Sequence, residues 1–112
     1  RLTNKREILL LVRGEVKRVL LAEESHCLLG RFNKTSPSAN HVNLAPYDAE
    51  TRTVSRIHAQ LHVDGEGLYL TDLGSTNGTY VNSSPLIQHV PHRVRSGDEV
   101  FFGHLPVQIM FQ

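Results

Sequence analysis

The sequence predicts an all-β domain, an antiparallel β-sandwich of about eleven short strands, and three observations carry that reading. Strand-like runs recur at short intervals along the 112 residues, with turn residues between them. Within Ile57-His58-Ala59-Gln60-Leu61-His62-Val63 the apolar residues fall at 57, 59, 61 and 63, the period-two pattern of a strand with one buried face. No segment sustains a 3.6-residue period over a helical length, so the strands must build the core among themselves as packed sheets.

Taken in order, Glu7–Val12 and Val16–Ala22 flank the turn residues Arg13-Gly14, and His26–Gly30 follows. From Phe32 to Val54 the chain is polar and carries two prolines. One short strand is expected there around Val42–Leu44, with a loop on each side. Loops of this length in compact domains are usually functional or mobile. Ile57–Val63 and Leu68–Leu73 then flank Asp64-Gly65-Glu66-Gly67, with Leu68, Leu70 and Asp72 on one face and Tyr69 and Thr71 on the other. Thr79–Asn82 is next. Asn77-Gly78 before it is a strong hairpin signal, because both residues tolerate the positive φ of a type I′ turn. A minimal hairpin needs only those two residues, so Gly74-Ser75-Thr76 is surplus to a turn. The remaining runs are Leu86–Val90, Val94, Glu99–Phe102 and Val107–Phe111, punctuated by Ser83-Ser84-Pro85, Ser96-Gly97-Asp98 and Gly103.

The totals bound the function. The length gives one domain, 1–112, able to bury a core without metal or disulfide. Because the chain opens on Arg1 and not Met, it reads as a module excised from a larger protein. The longest apolar run, Ile8–Val12, is far too short to span a membrane, and no signal-peptide pattern opens the chain, so no membrane association is expected. A lone Cys27 cannot close an internal disulfide, which is compatible with a reducing, cytoplasmic setting. A net charge of +1 argues against a general polyanion binder, and no nucleic-acid partner is expected. Residues 1–34 hold eight Lys/Arg against four Glu and residues 35–112 hold four Arg against seven acids, +4 against −3, a difference that fits a solvated strand surface ahead of a basic face.

Three clusters at loop edges carry chemistry: 30-GRF-32, 54-VSRIHA-59 and 72-DLGSTNGTYVN-82. Arg31 offers a planar fork of donors matched to phosphate oxygens, with Arg56 as a second guanidinium. Ser55, Ser75 and Thr76 offer hydroxyls, and backbone amides beside Gly74 and Gly78 can approach an anion closely. No carboxylate lies within 30–31, 54–59 or 73–82. The combination points to an anion-reading site on loops at one end of a rigid sandwich.

Gly30-Arg31, Ser55-Arg56-Ile57-His58-Ala59, Asp72 to Asn82 and Arg95-Ser96-Gly97-Asp98-Glu99-Val100 together resemble the forkhead-associated (FHA) domain, in that family's order and over most of the chain from the third strand on. The resemblance implies an eleven-stranded sandwich that binds a phosphothreonine-containing protein or peptide, downstream of a Ser/Thr kinase, with binding loops at one end and no cofactor. By the same resemblance Arg31, Ser55, Arg56 and Thr76 contact the phosphate, and Asn77 holds the peptide backbone. Gly30, His58, Gly74, Ser75 and Gly78 support the site, with His58 tying the Ser55 loop to its neighbours. It also implies a small pocket for the threonine methyl group that disfavours phosphoserine. Two departures stand out. The 24 positions between Arg31 and Ser55 exceed the family's usual gap, so 45-APYDAETRTV-54 reads as an extension where peptide preference is set. Asn82 is followed by Ser83-Ser84 where glycine is common, which alters the turn.

A phosphate-independent interaction or assembly module on the same fold is the alternative. His58 and His62, four apart and expected on one strand face, and the nearby His89 and His92, lack the cysteine partners or HExxH spacing of a metal site, so no metal is expected. Ser55 with His58 evokes a nucleophile and base, but no strand–GxSxG–helix context exists, and no catalytic residue is assigned. The P-loop spacing is absent, and Tyr80, Phe101, Phe102 and Phe111 read as strand packing residues, not a stacking platform.

Overall fold

In the computed structural model, which describes residues 5–32 and 41–112, alternation separates two layers. In β1 (Lys5–Val12) Ile8, Leu10 and Val12 are buried while Glu7 is exposed. In β5 (Ala59–Asp64) Ala59, Leu61 and Val63 are buried and the residues between them are less so. In such strands alternate residues form a dry face, and the dry faces of the two sheets pack on each other. The other strands are β2 (Glu15–Ala22), β3 (His26–Gly30), β4 (His41–Asn43), β6 (Gly67–Asp72), β7 (Thr79–Val81), β8 (Ser84–Pro85), β9 (His92–Val94), β10 (Glu99–Phe102) and β11 (Leu105–Phe111). A single 3-10 turn, Ala45–Tyr47, is the only helical element among the described residues.

The six-stranded sheet runs β2-β1-β11-β10-β7-β8 and the five-stranded sheet β4-β3-β5-β6-β9. The expected sandwich of about eleven strands is therefore observed. Its pairs are antiparallel except β3 with β4, which are parallel, with Leu29 beside Val42. Leu10, Leu29, Leu61, Leu70, Phe102, Leu105 and Ile109 fill the space between the sheets.

Three local expectations are corrected. The Asn77-Gly78 segment is not a hairpin turn, because β6 lies in one sheet and β7 in the other. The surplus residues 74–76 are needed to cross the sandwich. Gly74 and Gly78 take left-handed φ of 84° and 88°, whereas Asn77 does not. The two-residue turn is instead Asn82-Ser83, with φ of 47° and 75°, which closes Val81 against Ser84 in the I′ manner. The expected strand Leu86–Val90 is absent, since after Ser84–Pro85 the chain leaves the six-stranded sheet to reach β9. There the His89 N–H is bonded to Asp72 O at 2.8 Å, and Ile87 is exposed. Finally, Ile57 does not join Ala59, Leu61 and Val63 inside, but is 55% exposed. His58 takes the inward direction and breaks the alternation before β5 begins.

The presumed extension is part of the packing. Of the 32–54 stretch, residues 33–40 lie outside the described residues, and the expected short strand is β4. Beyond it Leu44, Tyr47, Ala49 and Val54 are buried in the core. The Val54 N–H is bonded to Ala49 O at 2.8 Å, the His104 N–H to Arg52 O at 2.7 Å, and the Tyr47 hydroxyl to Glu15 Oε1 at 3.1 Å. Shortening 45–53 would therefore remove core side chains and not simply trim a surface loop. Tyr47→Ala should lower the unfolding free energy by about 3 kcal/mol in urea denaturation, as for other buried large-to-small changes, and Tyr47→Phe by about 1 kcal/mol or less. Equal, negligible losses for both would show the segment to be a loose insert.

Candidate functional site

Gly30, at the end of β3, sets how closely two loops approach. A Cβ there would sit 2.0 Å from Arg56 O and 3.1 Å from Ser55 O, so only glycine lets β3 pass the 54–58 loop at this distance. The contact is held by the Arg31 N–H to Ser55 O at 3.1 Å, and on its other side Gly30 O accepts the Leu44 N–H at 2.8 Å. Arg31 Nε donates to Val54 O, which orients the guanidinium and leaves its terminal amino groups for a ligand.

His58 joins the next pair of loops. Its Nδ1 accepts the Ser55 N–H at 3.0 Å, and its Nε2–H donates to Gly78 O at 2.9 Å. Those two bonds require a neutral ring with the proton on Nε2. Burial pushes the imidazole pKa below its ordinary 6.5, outweighing the Gly78 bond and nearby Asp72, which favour the charged form. Phe102 packs edge-on at 5.6 Å, and the His58 main chain bridges Leu29 O and the Leu73 N–H at 2.9 and 3.0 Å.

Asp72 organises the third loop. Its fully buried carboxylate accepts the N–H groups of Gly74 and Ser75 on Oδ1, both at 2.9 Å, and the hydroxyls of Ser75 and Thr79 on Oδ2, both at 2.6 Å. Burial alone would raise its pKa, but these four donors hold it below the ordinary 3.8. Ser75 Oγ also accepts the Gly78 N–H at 2.9 Å, so the loop closes on itself. Ser55 Oγ then accepts the Thr76 N–H at 3.1 Å, tying the second loop to the third and leaving the Ser55 proton to donate outward.

The structure brings Arg31, Ser55, Arg56, Thr76 and Asn77 around one open depression of about 460 Å³, together with Glu50, Thr53 and Val54. Gly30, His58, Gly74, Ser75 and Gly78 lie behind it, in the loop connections just described. A larger hollow of about 710 Å³ lies between β2 and β4, but none of these residues lines it, so size does not mark the site.

Two further residues shape the depression and its loops. Asp72 opens the third cluster but has no role assigned from the sequence, although an aspartate two and three positions before Gly74 and Ser75 is the pattern of a side chain capping its own loop. Glu50 joins the depression from outside the three clusters, and nothing local in the sequence signals that. His58 and His62 do not share a face. His58 is internal, whereas His62 stacks with Tyr69 and neighbours His26, with ring centroids 5.5 and 5.2 Å away. Among the described residues no group of three metal-ligating side chains is gathered. Nor does His58 address the Ser55 hydroxyl, since its Nδ1 is bonded to the Ser55 amide.

These two buried groups predict separate acid windows. His58 has a folded pKa below its unfolded 6.5, so stability falls as pH drops from 6.5 to the folded value, because the unfolded chain takes up the proton first. Asp72 contributes above 3.8, and that contribution is lost as pH falls through its lower folded pKa. In urea unfolding from pH 8 to pH 2, Asp72→Asn should cost about 2–4 kcal/mol at neutral pH and narrow its gap to wild type only below 3.8. A gap independent of pH would contradict the ionised carboxylate.

Comparison with known proteins places the chain. The FHA domain family model matches residues 26–103, which contain all three loops. Over 55 residues, 49% of this chain, the sequence is 44% identical to the protein FraH of Nostoc sp., of whose length it spans 19%. An FHA domain solved in a study of phosphothreonine-dependent FHA domain interactions superposes with a TM-score of 0.70 at 28% identity, covering 95% of this chain and 97% of that one. The FhaA FHA domain complexed with the intracellular domain of Rv3910 does so with a TM-score of 0.66 at 28% identity, covering 91% and 98%. With its two-sheet topology and the matched residues, the chain belongs to the FHA domain family.

Proposed function

We propose that this domain docks proteins or peptides carrying phosphothreonine, in a cytoplasmic setting where Ser/Thr kinases supply the mark. The observation that carries the reading is the convergence of Arg31, Ser55, Arg56, Thr76 and Asn77 on one open depression. A phosphothreonine brings about −1.5 to −2 charge and three acceptor oxygens. Arg31 meets them with its terminal amino groups, Ser55 with its hydroxyl proton, Thr76 with its hydroxyl and Arg56 with a second guanidinium. Asn77 takes the peptide backbone beside the phosphothreonine. An unmodified threonine leaves these donors without acceptors, so unmet groups as well as attraction discriminate between the two. The family is one of binding modules, and the similar domain whose interactions are phosphothreonine-dependent supports the assignment.

One observation favours a phosphate-independent docking role. Val16 and Leu20 of β2 and Met110 of β11 expose apolar surface on the six-stranded sheet, away from the depression. Calorimetric titration with a phosphothreonine peptide selected from a degenerate library separates the two readings. Arg31→Ala should weaken binding about 10- to 150-fold, the worth of one charge-assisted contact, while costing no more than about 1 kcal/mol of stability. Partner binding unchanged by the substitution would favour the sheet-face reading.

A further inference from the structure

The depression is not uniformly positive. Glu50 lines it beside Arg31 and Arg56, so two guanidinium charges and one carboxylate give a net +1. The backbone that carries Glu50 is held there by the fold, and its side chain is exposed. Glu50 O accepts the Thr53 N–H at 3.1 Å, Asp48 O accepts the Arg52 N–H at 3.0 Å, and the flanking Ala49 and Val54 are buried and bonded to each other. Within the same turn Asp48 lies 3.9 Å from Arg52, so those two charges face each other and Glu50 supplies the turn's outward charge. An acid fixed on the rim of an anion site weakens anion binding, unless the ligand brings a cation to meet it.

We propose that Glu50 selects a lysine or arginine close to the phosphothreonine, so that the recognised motif carries a phosphate and a cation together. The inference rests on the phosphothreonine reading above. A depression of about 460 Å³ is roughly 8 Å across, and an extended peptide advances about 3.3 Å per residue. The cation therefore belongs within about three residues of the phosphothreonine. This separation is comparable to the screening length of about 8 Å at physiological salt, so the pair is felt there and fades as salt is raised.

The test uses fluorescence anisotropy with phosphothreonine peptides that place Lys, Gln or Glu in turn at each of the three positions on either side of the phosphothreonine. Wild type should prefer Lys over Gln at one position by about fivefold, the upper range for an exposed ion pair. Glu50→Gln should abolish that preference and tighten the Gln peptide, and Glu50→Arg should invert the preference toward Glu at the same position. Tight binding that requires Arg31 but has the same residue preferences in wild type and Glu50→Gln would overturn the inference and leave the phosphothreonine reading standing. Binding of no phosphopeptide by wild type would overturn both.

Discussion

A carboxylate removed from water has to find its hydrogen bonds within the protein, and the loop that follows β6 is arranged around that requirement. Asp72 takes two backbone amides and two hydroxyls from residues 74, 75 and 79. Withdrawing any of these donors would leave a buried charge undersatisfied, so the path of the chain from β6 across to β7 is fixed in detail. His58 acts on the neighbouring gap as a neutral imidazole whose two nitrogens have one partner each, the Ser55 amide and the Gly78 carbonyl. The two groups meet through Gly78, whose N–H is bonded to Ser75 and whose carbonyl is shared by His58 and the Gly103 N–H. Three loops are thus tied into one rigid unit by polar groups that are themselves hidden from solvent.

That arrangement separates structural donors from those left over. Inside, the hydrogen bonds are consumed. At the surface Arg31 has its Nε fixed and its terminal amino groups spare, and Ser55 accepts one bond while its proton points onward. On the proposed reading, a phosphate encounters donors already oriented for it, and little conformational entropy is lost on binding. The turn at 48–53 adds Glu50 to the same rim, so on the proposed reading the site combines attraction for an anion with a demand on the residues around it.

Much of the fold was legible because alternation and turn residues report directly on burial and backbone geometry. Ten of the eleven strands fall on runs visible in the sequence, whereas β8 falls on Ser84–Pro85, which read as a turn, and the expected Leu86–Val90 forms no strand. The failures share one cause. Asn77-Gly78 carries a local hairpin signal, Ile57 continues a local alternation and Leu86–Val90 is locally apolar, but each sits where the chain passes between sheets or where a polar group dictates its path. Local pattern cannot see a crossover. The same limit hid the site's supports. Arg31, Ser55, Arg56, Thr76 and Asn77 could be singled out by residue type and resemblance, whereas Glu50 reaches the depression only because Tyr47 and Ala49 bury the turn that carries it.

The central claim is that the depression reads a phosphate on threonine. The measurement that tests it most directly is a chemical-shift titration of the isotope-labelled domain with one peptide in three forms, phosphothreonine, phosphoserine and unmodified threonine. The account predicts saturable shifts at Arg31, Ser55, Thr76 and Asn77 with the phosphothreonine form, weaker ones with phosphoserine and none with threonine. Equal shifts with phosphorylated and unmodified threonine, or shifts confined to β2 and β11, would contradict it.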